Sequence, residues 1–113
     1  MSAITTHVLD LSKGHPARGV AVKLEFHAAG GWRELADRVT DGDGRVRDLV
    51  EAGRKVEVGR YRLTFGTGDY FQSSGESCFY PEVQVLFELS DASAHYHVPL
   101  LLSPFGYSTY RGS

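Results

Sequence analysis

Val20-Ala21-Val22-Lys23-Leu24-Glu25-Phe26-His27 alternates large apolar residues with small or polar ones. Successive side chains of a strand point to opposite faces. The run therefore puts Val20, Val22, Leu24 and Phe26 on one side and Ala21, Lys23, Glu25 and His27 on the other. That is the pattern of a half-buried strand. Upstream, Ile4 to Leu11 repeats it, with Ile4, Thr6, Val8 and Asp10 on one face and Thr5, His7, Leu9 and Leu11 on the other. Lys13-Gly14-His15-Pro16 breaks the chain between the two strands. Downstream, Ala29-Gly30-Gly31 turns into a third run from Trp32 to Thr40.

Asp41-Gly42-Asp43-Gly44 is a dense turn cluster that delivers Arg45 to the start of a fourth strand, Arg45 to Leu49. Its acidic spacing resembles the opening of a calcium loop. The flanking helices such a loop needs are missing from the pattern, so a β-turn is expected. Residues 50–58 read as loop. Tyr61, Leu63 and Phe65 alternate with Arg60, Arg62 and Thr64 in a fifth strand, and Val83, Val85, Phe87 and Leu89 alternate with Glu82, Gln84, Leu86 and Glu88 in a sixth. Between them, Gly66 to Gly75 has room for one short helical turn around Asp69-Tyr70-Phe71. Short strands with turn signals at roughly ten-residue intervals predict an all-β sandwich or barrel.

The segment from His95 to Ser113 supplies the seventh and eighth strands, joined by a turn at Ser103-Pro104. Chain ends are usually polar and frayed. This one is apolar and aromatic and finishes Tyr110-Arg111-Gly112-Ser113. His95, His97, Pro99 and Leu101 face one way, and Tyr96, Val98, Leu100 and Leu102 the other. A sandwich buries one face of a strand, yet both faces here are apolar-rich. The consecutive leucines Leu100, Leu101 and Leu102 point to a second subunit over the outer face.

Composition narrows the partners. The chain has 113 residues, which fits one domain spanning 1–113, and a net charge of -2. No basic stripe points to nucleic acid, and no apolar run approaches the ~20 residues of a membrane span. The single cysteine, Cys78, excludes an intramolecular disulfide and CxxC metal sites and suits a reducing compartment. It reads as a small structural residue, with no activating neighbour in the sequence. The N-terminal stretch is too short and polar for a secretory signal. A soluble, cytoplasmic protein is expected.

His7-Val8-Leu9-Asp10, followed by Gly14-His15-Pro16-Ala17 and Val20-Ala21-Val22, resembles the N-terminal signature of the transthyretin family. Tyr96-His97-Val98-Pro99-Leu100-Leu101-Leu102-Ser103-Pro104-Phe105-Gly106-Tyr107 resembles its C-terminal signature. The two bracket nearly the whole chain in the family's order. Within the family the chain is similar to the enzyme branch, 5-hydroxyisourate hydrolase, rather than to the hormone carrier. His7 stands where the carrier has Lys, Arg45 follows Asp43-Gly44, His97 stands where the carrier has a hydroxyl residue, and the chain ends in the branch's Tyr-Arg-Gly-Ser.

The resemblance implies a sandwich of two four-stranded sheets with one short helix after the fifth strand. It also implies a homotetramer, a dimer of dimers with its sites where the dimers meet. The implied reaction is hydrolysis of 5-hydroxyisourate to a ureidoimidazoline carboxylate in urate degradation to allantoin, with no metal or organic cofactor.

Opening a ring amide with water requires a base, a group to hold the developing oxyanion and contacts that orient the ring. No nucleophile elbow marks a covalent route, so direct attack by activated water is expected. His7 and His97 are the candidate acid and base, because histidine titrates near neutrality. Their roles are interchangeable at this stage, with His7 favoured for activating water. Arg45 is the candidate clamp on substrate oxygens. Tyr110 can hydrogen-bond or stack on a flat ring, Ser113 offers a hydroxyl and a carboxylate, and Arg111 and Gly112 complete the tail as substrate contacts. His95 with His7 and His97 has the composition of a zinc site, a reading set aside because the family chemistry does not need one. His15 and His27 read as loop and surface residues. A small-ligand carrier using the same channel and a sandwich with no site are the alternatives. Neither explains His7, Arg45, His97 and the tail together.

Overall fold

A computed structural model describes residues 3–113. Its elements are β1 (Ile4–Asp10), β2 (His15–Pro16), β3 (Ala21–Ala28), β4 (Gly31–Val39), β5 (Arg45–Val46), β6 (Gly59–Phe65), α1 (Thr67–Gln72), β7 (Val83–Leu89), β8 (Tyr96–Ser103) and β9 (Gly106–Thr109). They form two sheets. One runs β4-β3-β6-β7; the other runs β2-β1-β8-β9, with β5 also paired to β1. The start of the N-terminal stretch, Met1-Ser2, lies outside the described residues. Among the described residues no helix is long and apolar enough to cross a membrane.

The alternations set the sandwich. In the first sheet Val22, Leu24 and Phe26 of β3 stand opposite Phe65, Leu63 and Tyr61 of β6. In the second, β1 and β8 run parallel, pairing Ile4 with Tyr96, Thr6 with Val98 and Val8 with Leu100. These inward residues are all buried and form one hydrophobic core, apart from Thr6, whose hydroxyl donates to the Val98 carbonyl at 2.6 Å. Helix α1 follows the strand expected to precede it and buries Phe71.

Three details depart from the sequence reading. His15-Pro16, expected as a break, pairs with Leu9 and Asp10, so the second sheet has five strands rather than four. Gly14 makes the tight return possible: its φ is +72°, and its N–H donates to the Asp10 carbonyl at 2.9 Å. The fourth expected strand stops at Val46 instead of Leu49. Leu49 and Val50 lie past its end and are both buried in the core, so the backbone leaves the sheet there to fill it. Finally, Glu25 on the outward face of β3 is only 9% exposed. The Arg62 guanidinium sits 2.9 Å from its carboxylate and 4.2 Å from the Trp32 ring centroid, which keeps the buried charge paired.

Candidate active site

The outer face of the second sheet brings three strands side by side. β1 lies between β5 and β8, and the register sets His7 opposite Arg45 on one side and Thr5 opposite His97 on the other. Period-two alternation puts Thr5, His7 and His97 on the face away from the core, as the sequence predicts.

Arg45 is aimed by the turn before it. The Asp41 carbonyl accepts from Gly44 N–H at 2.9 Å, closing a β-turn. The Asp41 carboxylate accepts from the backbone N–H groups of Asp43 at 2.9 Å and Arg45 at 3.0 Å. These bonds, the Arg45 one first, and the nearby Arg47 hold the Asp41 carboxyl below its ordinary range against the effect of desolvation. The acidic cluster that resembles a calcium loop is thus a turn cap. Gly44 has φ +74°, and a Cβ there would stand 2.4 Å from the Val8 carbonyl oxygen. Only glycine lets this turn dock on β1, where the Gly44 carbonyl accepts from Val8 N–H at 2.7 Å.

His97 is fixed from two sides. Thr5 Oγ1 lies 2.8 Å from its Nδ1 and 3.2 Å from Nε2 of His95, so one hydroxyl bridges two imidazoles. On the other side the tail returns along β8. Gly112 pairs with His97 and donates its N–H to the His97 carbonyl at 2.8 Å. A Cβ at position 112 would stand 2.6 Å from His97 Cδ2. Thr5, Thr6, Arg45, Arg47, His95, His97 and Ser113 line one open cavity of about 510 Å³.

The electrostatics favour neutral imidazoles. Burial, and then the Arg45 charge, lower His7 below its usual value, and hydrogen bonding to the Asp43 carbonyl offsets part of this. Burial, Arg45, His7 and His95, in that order, lower His97. Two neutral imidazoles beside a guanidinium can accept or relay a proton while the cation holds an oxyanion.

The expected tail is divided by the same alternation. The His97–Gly112 bridge continues the β8–β9 register, in which Leu101 faces Ser108 and Leu100 faces Thr109. Gly112 and Ser113 therefore arrive at His97. Arg111 falls on the opposite face, and its guanidinium lies 4.4 Å from the Tyr96 ring centroid. Tyr110 and Arg111 line a separate cavity of about 300 Å³ at the sandwich edge with Val85, Phe87, Tyr96 and Val98. His7 adjoins the larger cavity through its register with Arg45 rather than lining it. His15 and His27 are exposed; His15 lies in β2 rather than a loop, and the His27 ring, on the outward face of β3 as expected, packs on Trp32 at 4.9 Å. Among the described residues no group of His, Cys, Asp or Glu is gathered as a metal site.

Thr5 and Arg47 line the cavity without having been expected there. Thr5 carried a usable signal, since it precedes His7 by one strand period on the same face. Arg47 carried none: its tie to Asp41 at 2.8 Å depends on the fold of the turn.

Residues 4–112 match the model of the HIUase/Transthyretin family. The chain is 47% identical over 110 residues to the 5-hydroxyisourate hydrolase of Salmonella typhimurium, covering 97% of this chain and 80% of that one. The structure of Klebsiella pneumoniae 5-hydroxyisourate hydrolase superposes with TM-score 0.84 and 38% identity, over 97% of this chain and 92% of that one. Sea bream transthyretin in complex with thyroxine superposes with TM-score 0.91 and 34% identity, over 98% and 95%. Since carrier and enzyme backbones both fit, the fold does not separate the branches. The match along nearly the whole sequence establishes that this chain belongs to the HIUase/transthyretin family.

Proposed function

We propose that the chain hydrolyses 5-hydroxyisourate by direct attack of water on a ring amide. The observation that carries this reading is the register of β5, β1 and β8, which sets Arg45 beside His7 and gathers Arg45 with His97 around one cavity. A carrier has no need of two neutral imidazoles beside a guanidinium. The names of the enzyme relatives support the same reaction, and the family resemblance places it in urate degradation.

His7 takes a proton from water as the oxygen attacks the ring carbonyl. Arg45 offers its planar donors to the carbonyl oxygen as charge develops there. His97 gives a proton to the ring nitrogen as the C–N bond breaks. Ser113, which lines the same cavity, contacts the substrate, and Tyr110, expected as a substrate contact, instead faces the edge cavity beside Arg111. Gly112 and Arg111 serve by holding the tail strand, Gly112 against His97 and Arg111 on Tyr96.

The same reading makes the protein a cytoplasmic homotetramer, a dimer of dimers with sites at the dimer–dimer boundary. Exposed apolar side chains support an assembly: Phe105 at the β8–β9 turn is 73% exposed, and Leu11, Phe79 and Leu86 are exposed as well. Light scattering is expected to give the tetramer mass, and a monomer would overturn the assembly. The activity is tested by absorbance decay of 5-hydroxyisourate generated in situ, which the protein is expected to accelerate. An unchanged decay rate overturns the assignment.

A further inference from the structure

We propose that Thr5 and His95 are positioning residues that form a proton relay behind His97, refilling its Nδ1 as its Nε2 proton is given to the substrate. The inference rests on the reading of His97 as the group that protonates the departing nitrogen.

A neutral imidazole that gives up its only N–H becomes an imidazolate, which is far too basic to form in a half-buried site. It acts as an acid only if its second nitrogen receives a proton in the same event. In His97 that second nitrogen is Nδ1, and the group within hydrogen-bond reach of it is the Thr5 hydroxyl at 2.8 Å. Thr5 is almost fully buried, and both hydrogen bonds of its hydroxyl go to imidazole nitrogens. Its other partner is His95 Nε2 at 3.2 Å. A hydroxyl has a single proton, so it donates to one imidazole and accepts from the other. The two rings are therefore joined in a directed chain with two settings.

Before reaction the chain runs inward: His95 Nε2–H donates to Thr5 Oγ1, and Thr5 O–H donates to His97 Nδ1. His97 then carries its proton on Nε2. As that proton moves to the ring nitrogen, the Thr5 proton moves to Nδ1 and the His95 proton moves to Thr5. His95 Nδ1 takes up a proton from solvent, so His95 ends neutral. His7 returns to solvent the proton it took from the attacking water, and the count closes: one water is split across the C–N bond.

His95 is placed for this exchange. It is exposed, and besides the main cavity it lines a second depression with Ala3, Gly53, Arg54 and Ser93. Solvent reaches it from a side that substrate in the main cavity does not cover. The near-parallel rings of His95 and His97, 6.5 Å apart and inclined by 14°, leave the Thr5 hydroxyl as their link. Nor is the relay displaced by the tail, because Gly112 closes on the Cδ2 side of His97 and leaves Nδ1 to Thr5.

The test uses the full chain with Thr5→Val, which keeps the branched shape and removes the hydroxyl, Thr5→Ser, which restores it, and His95→Gln at the exposed end. Thr5→Val is expected to lower kcat about tenfold or more while KM stays within about twofold, a loss at the low end of what acid–base catalysis supplies. Thr5→Ser is expected to recover most of it. His95→Gln is expected to lower kcat and to regain rate as imidazole buffer is raised. Wild-type kcat in Thr5→Val or in His95→Gln overturns the relay, and so does a Thr5→Val loss that serine does not repair. Nitrogen-15 NMR of the ligand-free protein reads the same relay without substrate. Thr5→Val is expected to change the His97 tautomer balance, and unchanged His97 nitrogen shifts would overturn the proposal. If the wild type fails to hydrolyse 5-hydroxyisourate, the assigned reaction falls while the NMR result still decides whether Thr5 links the two rings.

Discussion

Gly112 holds His97 through backbone and by contact at once: its N–H donates to the His97 carbonyl at 2.8 Å, and its missing Cβ leaves room for the imidazole edge. The tail returns along β8 and braces a ring that the proposed chemistry needs. In Gly112→Ala the added methyl would lie 2.6 Å from His97 Cδ2, so the ring or the tail must shift. Overpacking of this kind costs about 1–3 kcal/mol in a closed core and less at a half-open site. Expected is a loss of about tenfold or more in kcat/KM, since small misplacements of a catalytic group are costly, with only a modest drop in Tm. Steady-state kinetics beside calorimetry checks this. Full activity with a lowered Tm would show that the contact braces the fold alone.

After burial, the Arg45 charge is the next cause of both depressed imidazoles, His7 and His97. In Arg45→Ala, NMR titration is expected to move both toward the ordinary 6.5. The linked stability has a definite sign. Below pH 6.5 the unfolded chain takes up protons that the folded imidazoles resist, so stability falls as pH drops from 6.5 through the folded values. The variant should show a shallower fall across that window. Histidine titrations that ignore the substitution would strike the Arg45 charge from the causes.

Away from the site, Asp10 ties the end of β1 to α1. It is 1% exposed and accepts from Ser12 Oγ at 2.5 Å, Lys13 Nζ at 3.2 Å and Tyr70 Oη at 2.7 Å. Burial alone would raise its carboxyl, but the Ser12, Tyr70 and Lys13 hydrogen bonds outweigh it and hold it low. The Tyr70 phenol is pushed up to about 12 by its burial and by the bond to Asp10. Asp10→Ala is expected to cost on the order of 3 kcal/mol, because it leaves the buried Tyr70 hydroxyl without its acceptor and Lys13 with Glu76 alone. With a depressed carboxyl, the native contribution is present above pH 3.8 and lost as pH falls through the folded value. Denaturant unfolding at neutral pH and at pH 3 measures both effects. A variant as stable as the wild type would mean the network adds nothing net.

The faces of β1, β3, β6 and β8 were legible because one side of each strand supplies the large apolar residues of the core, so a period of two marks the inward face directly. His7, His97 and Arg45 were legible as site residues through motif resemblance, and the register explains how they meet. What stayed hidden depended on long-range geometry. The pairing of His15-Pro16 needed the return set by Gly14. Early termination of β5 followed from the demand of the core for Leu49 and Val50. Glu25 reads as a solvated charge until Arg62 and Trp32 close over it. Arg111 looked equivalent to its tail neighbours, yet one step of alternation sends it to Tyr96 while Gly112 meets His97.

The central claim is that His7, Arg45 and His97 act together on 5-hydroxyisourate. The direct measurement is the decay of freshly generated 5-hydroxyisourate followed by absorbance with wild type, His7→Asn, Arg45→Ala and His97→Asn, each with circular dichroism to establish folding. Expected is acceleration by the wild type and a loss of about 10²-fold or more in each folded variant, the scale on which acid–base groups and oxyanion donors contribute. Wild-type rates in all three folded variants would contradict the claim.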